Sequence, residues 1–173
     1  MYTRVVVPLD GSRLAERALP YAEELARMTG LPLHLIRVVA VVPAAGLAQA
    51  EYAFTDNLFV GALQDEESVA DEYLATLQDH YAASNIQVTT ERRAGKVTHE
   101  LLAAASDGDL YVMASHGRGG VSRWFLGSVA EEITHHSRVP VMIIRANTAN
   151  EERGAAKPRV PVFRREWSHS GKK

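Results

Sequence analysis

Apolar residues in this chain follow two rhythms. Apolar runs occur at Val5-Val6-Val7 within Arg4 to Leu9, at Leu33 to Val39 apart from His34 and Arg37, at Leu110-Tyr111-Val112-Met113-Ala114 and at Pro140-Val141-Met142-Ile143-Ile144 before Arg145. Runs without polar alternation belong to strands covered on both faces, as in a parallel sheet. Between them the period lengthens. Ala18, Ala22 and Ala26 recur at every fourth residue beside Leu19 and Leu25, while Glu16, Arg17, Glu23, Glu24 and Arg27 are expected mostly to face water. That spacing predicts a surface helix from Leu14 to a stop at Gly30. Pro20 lies inside it and removes one backbone bond, at about 3 kcal/mol in a regular interior, so a kink or a restart is expected there.

Val69, Tyr73, Leu77 and Tyr81 predict a second helix from Asp65 to about Ala83. The preceding stretch, Val41 to Leu63, shows no period although it contains Leu47, Tyr52, Phe54, Leu58, Phe59 and Val60. It reads as a long loop, serving as a lid or partner contact or folded onto its own domain. Gln87 to Arg93, with β-branched Val88, Thr89 and Thr90, suits a third strand near a sheet edge. Val97 to Ala105 predicts a short helix with Gly108 as its left-handed terminator. Ser128-x-x-Glu131 is a capping box, which predicts a helix beginning near Ser128. Five strands alternating with four helices make a doubly wound α/β domain with parallel strands and right-handed crossovers. Such sheets bind ligands at the carboxyl ends of strands, where the strand order reverses.

Composition narrows the class. The 173 residues suffice for a single domain, and 46% hydrophobic with 23% charged residues and a net charge of -2 argue against a disordered or strongly nucleic-acid-seeking chain. Cysteine is absent, which excludes disulfides and thiolate metal sites. Met1-Tyr2-Thr3-Arg4-Val5 enters a strand without leader character, and no apolar run reaches membrane-spanning length; the expected location is cytoplasmic, without a membrane partner. The folded domain is expected to occupy residues 1–146. Residues 147–173 lack any period and, from Glu151 on, hold seven Lys or Arg against three Glu, as in a basic, flexible tail. Phe163 and Trp167 there offer stacking surfaces, but nucleic acid is not the expected partner.

The candidate chemistry lies after the fourth strand. Met113-Ala114-Ser115-His116-Gly117, then nine residues, then Gly127-Ser128 places a glycine-bearing loop between a buried strand and a helix start. Unpaired amides and the positive end of the helix dipole attract anions there, and glycine lets backbone approach a ligand. Arg118 and Arg123 could neutralise phosphate charge or simply decorate the loop. No Gly-x-x-x-x-Gly-Lys-Ser/Thr occurs, because Gly95-Lys96 lacks the earlier glycine and the following hydroxyl. His135-His136 is the one adjacent histidine pair, and neighbours on a helix diverge by about 100°, which does not suit chelation. Beyond Asp10, no carboxylate is obviously placed to orient an attacking water at bound phosphate, so slow hydrolysis is the most that is expected.

Several of these segments together resemble the universal stress protein family. The resemblance rests on Val7-Pro8-Leu9-Asp10-Gly11-Ser12, Leu35-Ile36-Arg37-Val38, Gly95 before a short helix, Met113-Ala114-Ser115-His116-Gly117-x9-Gly127-Ser128 and Val139-Pro140-Val141. It covers Thr3 to about Arg145. It implies a Rossmann-like five-stranded parallel sheet of order 3-2-1-4-5, a stress-response function, and a homodimer, here through the last strand, Val141 to Ile144. One subclass binds ATP through glycine, two residues, glycine, nine residues, then glycine and Ser or Thr. The chain fits except at its first position, where Ala114 replaces glycine. The resemblance then places Pro8 and Asp10 near adenine and ribose, Val38 at the adenine edge, and Met113 and Ala114 on the ribose side. Gly117, Gly127, Ser128, Val129 and Ala130 would hold the phosphates, with Mg²⁺ carried by the triphosphate. The function implied is regulation by nucleotide occupancy; a non-nucleotide interaction protein of the same fold, or a slow ATP hydrolase, is the alternative.

Overall fold

The computed structural model describes residues 1–41, 52–115 and 127–145, and for residues 52–62 the backbone alone. The expected tail at 147–173, the Gly117 loop and residues 42–51 of the expected lid lie outside the described residues. Five strands form one parallel sheet: β1 (Arg4–Leu9), β2 (Leu33–Ala40), β3 (Val88–Gly95), β4 (Asp109–Ser115) and β5 (Val141–Arg145), in the order β3-β2-β1-β4-β5. Alternate residues of β1, β2, β4 and β5 feed two cores. Val5, Val7, Leu9, Leu33, Leu35 and Val112 pack with α1 (Leu19–Thr29) and α2 (Tyr52–Ala82). Val6, Ile36, Tyr111 and Met113 pack with α3 (Val97–Ala104) and α4 (Ser128–His136) on the other face. Burial on both sides explains the apolar runs of β1 and β4, and of β2 apart from His34 and Arg37.

Pro20 produces the restart. A 3₁₀ turn over Ala15–Ala18 precedes α1, which places Pro20 in the first turn of the new helix, where its missing N–H costs nothing. Gly30 ends α1 in the left-handed region at φ 71°. Other boundaries moved. The second helix begins at Tyr52 rather than Asp65, so most of the expected loop is helical. Once one turn is anchored against the sheet, each further residue adds a backbone bond at little cost, whether or not it shows one apolar face. Gly108 does not terminate α3, which ends where Ala105 turns extended. Gly108 lies beyond, at φ 90°, in the turn into β4, and a Cβ there would come within 2.8 Å of Thr3.

A polar cluster sits on the α3 and α4 side. His34 of β2 is buried with Nδ1 2.8 Å from Thr89 Oγ1 and Nε2 3.0 Å from Glu91 Oε2. In the neutral ring this network assigns the proton to Nε2, which donates to Glu91, while Nδ1 accepts from the threonine hydroxyl. Burial holds the His34 pKa below 6.5 against the opposing pull of Glu91. Burial raises the Glu91 pKa, but hydrogen bonds from Arg93 and His34 outweigh it and hold the carboxyl below 4.5. The unfolded chain therefore takes up protons first as pH falls past each ordinary value, so both groups lose their stabilising contribution on acidification. Thermal melting followed from neutral to acid pH is expected to show a fall beginning near pH 6.5, and this first step should be missing in His34→Gln.

Candidate functional site

From β1 the chain turns to α1 on one face, whereas from β4 it reaches α4 on the other. Connections that part in this way leave a crevice at the carboxyl ends of the two strands. A cleft of about 180 Å³ opens there. Pro8, Leu9 and Asp10 line it from the end of β1, Val38 from β2, Met113 and Ala114 from β4, and Gly127 to Ala130 from the start of α4. Nine of the ten residues marked from sequence thus meet in one place, while Gly117, with Arg118 and Arg123, lies outside the described residues. Sequence reasoning missed Ser12, Leu14 and Ala15 of the turn after β1, and Val97 and Leu101 of α3. The last two form an i, i+4 pair in the first turns of a helix following β3, a position that every such helix carries to the same edge of the sheet.

A tight turn fixes Asp10. Its Oδ1 accepts the Ser12 N–H at 2.8 Å, Ser12 Oγ accepts the Ala15 N–H at 3.1 Å, and Ser12 O accepts the Glu16 N–H at 3.2 Å. Gly11 permits this turn at φ 80°. Among the described residues, Asp10 Oδ2 takes no hydrogen bond, and Asp10 is the one charged side chain lining the cleft. Glu16, expected to face water, is instead buried and accepts the Tyr73 hydroxyl at 3.1 Å. Burial raises its pKa while the Tyr73 bond and Arg13 pull it down. The helical spacing revealed nothing of this, because the partner lies on α2.

The predicted capping box does not form. Gly127 occupies the cap position at φ -60° and ψ 150°, no side chain caps the helix, and Ser128 is already helical. With the extended residue one position earlier than expected, the cap has no hydroxyl to offer. The first bond inside the helix runs from the Glu131 N–H to Gly127 O at 2.9 Å, leaving the amides of Ser128, Val129 and Ala130 without an intrahelical acceptor. Those amides and the dipole behind them suit an anion. Ala114 raises no conformational difficulty, since it sits within β4 paired with Ile144, in extended backbone that alanine adopts freely. Among the described residues no group of three His, Asp or Glu is arranged for a metal ion, and no helix is long and apolar enough to cross a membrane.

The profile of the Universal stress protein family matches residues 1–145. Universal stress protein G of Escherichia coli O157:H7 is 30% identical over 149 residues, covering 84% of this chain and 100% of its own length. A universal stress protein of Mycobacterium tuberculosis is 31% identical over 144 residues, 82% of this chain, but the match spans only 45% of that longer protein. Among solved structures, universal stress protein UspA from Lactobacillus plantarum superposes with a TM-score of 0.68 at 24% identity, covering 83% of this chain and 98% of that one. An Arabidopsis thaliana family protein with AMP bound gives 0.58 at 15% identity, over 92% and 99% of the two chains. The Archaeoglobus fulgidus protein in complex with dAMP gives 0.54 at 18% identity, over 83% and 98%. The match of sequence over the whole described domain, together with the strand order β3-β2-β1-β4-β5, settles the family: this chain belongs to the universal stress proteins.

Proposed function

We propose that the cleft takes an adenine nucleotide, ATP with its Mg²⁺ held by the triphosphate, and that the protein acts in the stress response through occupancy of this site. One observation carries the reading: an uncapped helix N-terminus, an apolar strand residue and a carboxylate with one oxygen unbonded among the described residues line the same cleft. The groups fit the ligand by kind. The amides of Ser128 to Ala130 would take phosphate oxygens, Asp10 Oδ2 would accept from a ribose hydroxyl, and Val38 and Met113 would cover apolar surface of the nucleoside. Relatives of the same fold solved with AMP and dAMP support an adenine nucleotide as the class of ligand. When bound, the nucleotide supplies charge and binding energy rather than a reactive group. At a hundred times its dissociation constant it would stabilise the occupied form by about 2.7 kcal/mol, enough to bias a partner-binding surface.

The test is direct. Protein purified without added nucleotide is denatured and its extract analysed by mass spectrometry, and the stripped protein is titrated calorimetrically with ATP, AMP and cyclic AMP, with and without Mg²⁺. Heat and a raised melting temperature with Mg²⁺ and ATP are expected; silence with all three ligands would overturn the reading.

The same reading includes a homodimer through β5. This strand closes one edge of the sheet, with Met142 exposed at 39% and one side of its backbone unpaired among the described residues. An open, apolar edge invites pairing with a second copy. Sedimentation at micromolar concentration is expected to give a dimer, and a monomer would remove this part of the proposal.

A further inference from the structure

We propose that Arg37 is a positioning residue for the cleft: its guanidinium, set against both the Gly11 turn and the ring of Tyr73 on α2, holds the Asp10 carboxylate where it meets ligand. This rests on the nucleotide reading above and assigns a role to a side chain that does not line the cleft. Arg37 pairs with Leu9 across the β1–β2 ladder, level with the residue before Asp10. Its neighbours Ile36 and Val38 pack toward α3 and α4, so Arg37 projects to the opposite face, where the strand otherwise offers Leu33 and Leu35. A cation on that apolar face is costly unless its contacts repay the loss of water.

Among the described residues, the contacts concern the turn and α2. The guanidinium carbon lies 5.1 Å from the Tyr73 ring centroid, and Nη1 donates to Val69 O at 3.5 Å. Gly11 also lies against the guanidinium: a Cβ built there would be 3.3 Å from Nη1, 3.5 Å from Cζ and 3.6 Å from Nη2. Tyr73 reaches the same turn by a second route, because its hydroxyl donates to Glu16 and the Glu16 N–H donates to Ser12 O. The Ser12 N–H in turn orients Asp10 Oδ1. Arg37 and Tyr73 thus brace the Asp10 to Ser12 backbone from beneath, and a shift at Gly11 carries the carboxylate with it. A lysine would keep the charge and the stem but not the planar fork that meets both turn and ring.

A double-mutant cycle on the full chain tests this, read by calorimetric titration with Mg²⁺ and ATP and by the melting temperature of the unliganded protein. Arg37→Met and Arg37→Lys are each expected to weaken binding about tenfold, the order of a misplaced hydrogen bond to a charged group. Combined with Asp10→Ala, either substitution should cost nothing beyond Asp10→Ala alone, since the arginine acts through that carboxylate. The lysine variant should lose affinity while melting close to wild type, and it completes the cycle if the methionine variant does not fold. Losses that add independently would overturn the proposal and leave Arg37 a structural residue. Wild-type affinity in Asp10→Ala would also overturn it while the nucleotide reading survives. No heat with the wild-type chain would instead show that the reading beneath it has failed.

Discussion

Replacing Gly127 with aspartate is expected to reduce affinity for adenine nucleotides by at least about a hundredfold while leaving the unliganded protein as stable as before, or slightly more so. The two effects have opposite signs for one reason. At φ -60° and ψ 150° the position accepts any residue, so the backbone does not require glycine. Aspartate is a favoured helix cap, and relative to glycine it adds about a few tenths of a kcal/mol by accepting the same amides that an anion would use. Its charge would then stand beside the phosphates, where two like charges about 4 Å apart repel by about 4 kcal/mol at an effective dielectric of 20. Gly127→Ala is the control, adding bulk without charge or acceptor. Calorimetry gives the affinity and thermal denaturation without ligand gives the stability. Full affinity in Gly127→Asp would mean that the phosphates lie away from the α4 N-terminus.

The contrast between cap and strand also explains how far the sequence alone could be read. Strands β1 and β4 were legible because a strand covered on both faces must be apolar at successive positions, and β2 because its remaining residues stay apolar around His34 and Arg37. The restart at Pro20 was legible because the ring excludes one backbone bond wherever it stands. Helix caps carry less information. Ser128 and Glu131 have the right identities and spacing for a box, yet whether residue 127 or 128 is the extended one depends on the chain before it. The beginning of α2 was hidden for a different reason: periodicity reports one-sided patterning, and residues 52–63 show no period in the sequence, yet cooperative elongation carries a helix through such a stretch. Glu16 was expected to face water, and Arg37 stood only as one residue of a strand motif. What makes them otherwise is Tyr73, more than thirty residues away in sequence, and contacts over such separations leave no local signature. The cleft residues fared better, because the carboxyl ends of strands in an alternating α/β chain are marked by the strands themselves.

The largest loss of stability is expected from Asp109→Ala, about 3 kcal/mol, at the edge of the sheet opposite the cleft. Asp109 opens β4 with its side chain almost fully buried, and it accepts Arg4 Nε at 2.7 Å, Arg4 Nη2 at 3.0 Å and the Ser106 N–H at 2.9 Å. Arg4 begins β1 and pairs with Asp109 in the ladder, so the fork ties together the starts of the two central strands. Removing the carboxylate leaves a guanidinium that is largely withdrawn from water and a backbone amide without its acceptor, and unpaired groups cost more than the pair contributes. The arginine retains 29% side-chain exposure and can relax toward solvent, which keeps the expected loss at the lower end of the range for broken buried pairs. Arg4→Met combined with Asp109→Leu should therefore recover part of the loss but not all of it, because the Ser106 amide stays unsatisfied in the double variant. Denaturant melts of the three proteins decide the matter. A double variant as unstable as Asp109→Ala would mean that the cost lies wholly in the Ser106 turn, and an Asp109→Ala protein as stable as wild type would show that the fork contributes nothing to joining β1 and β4.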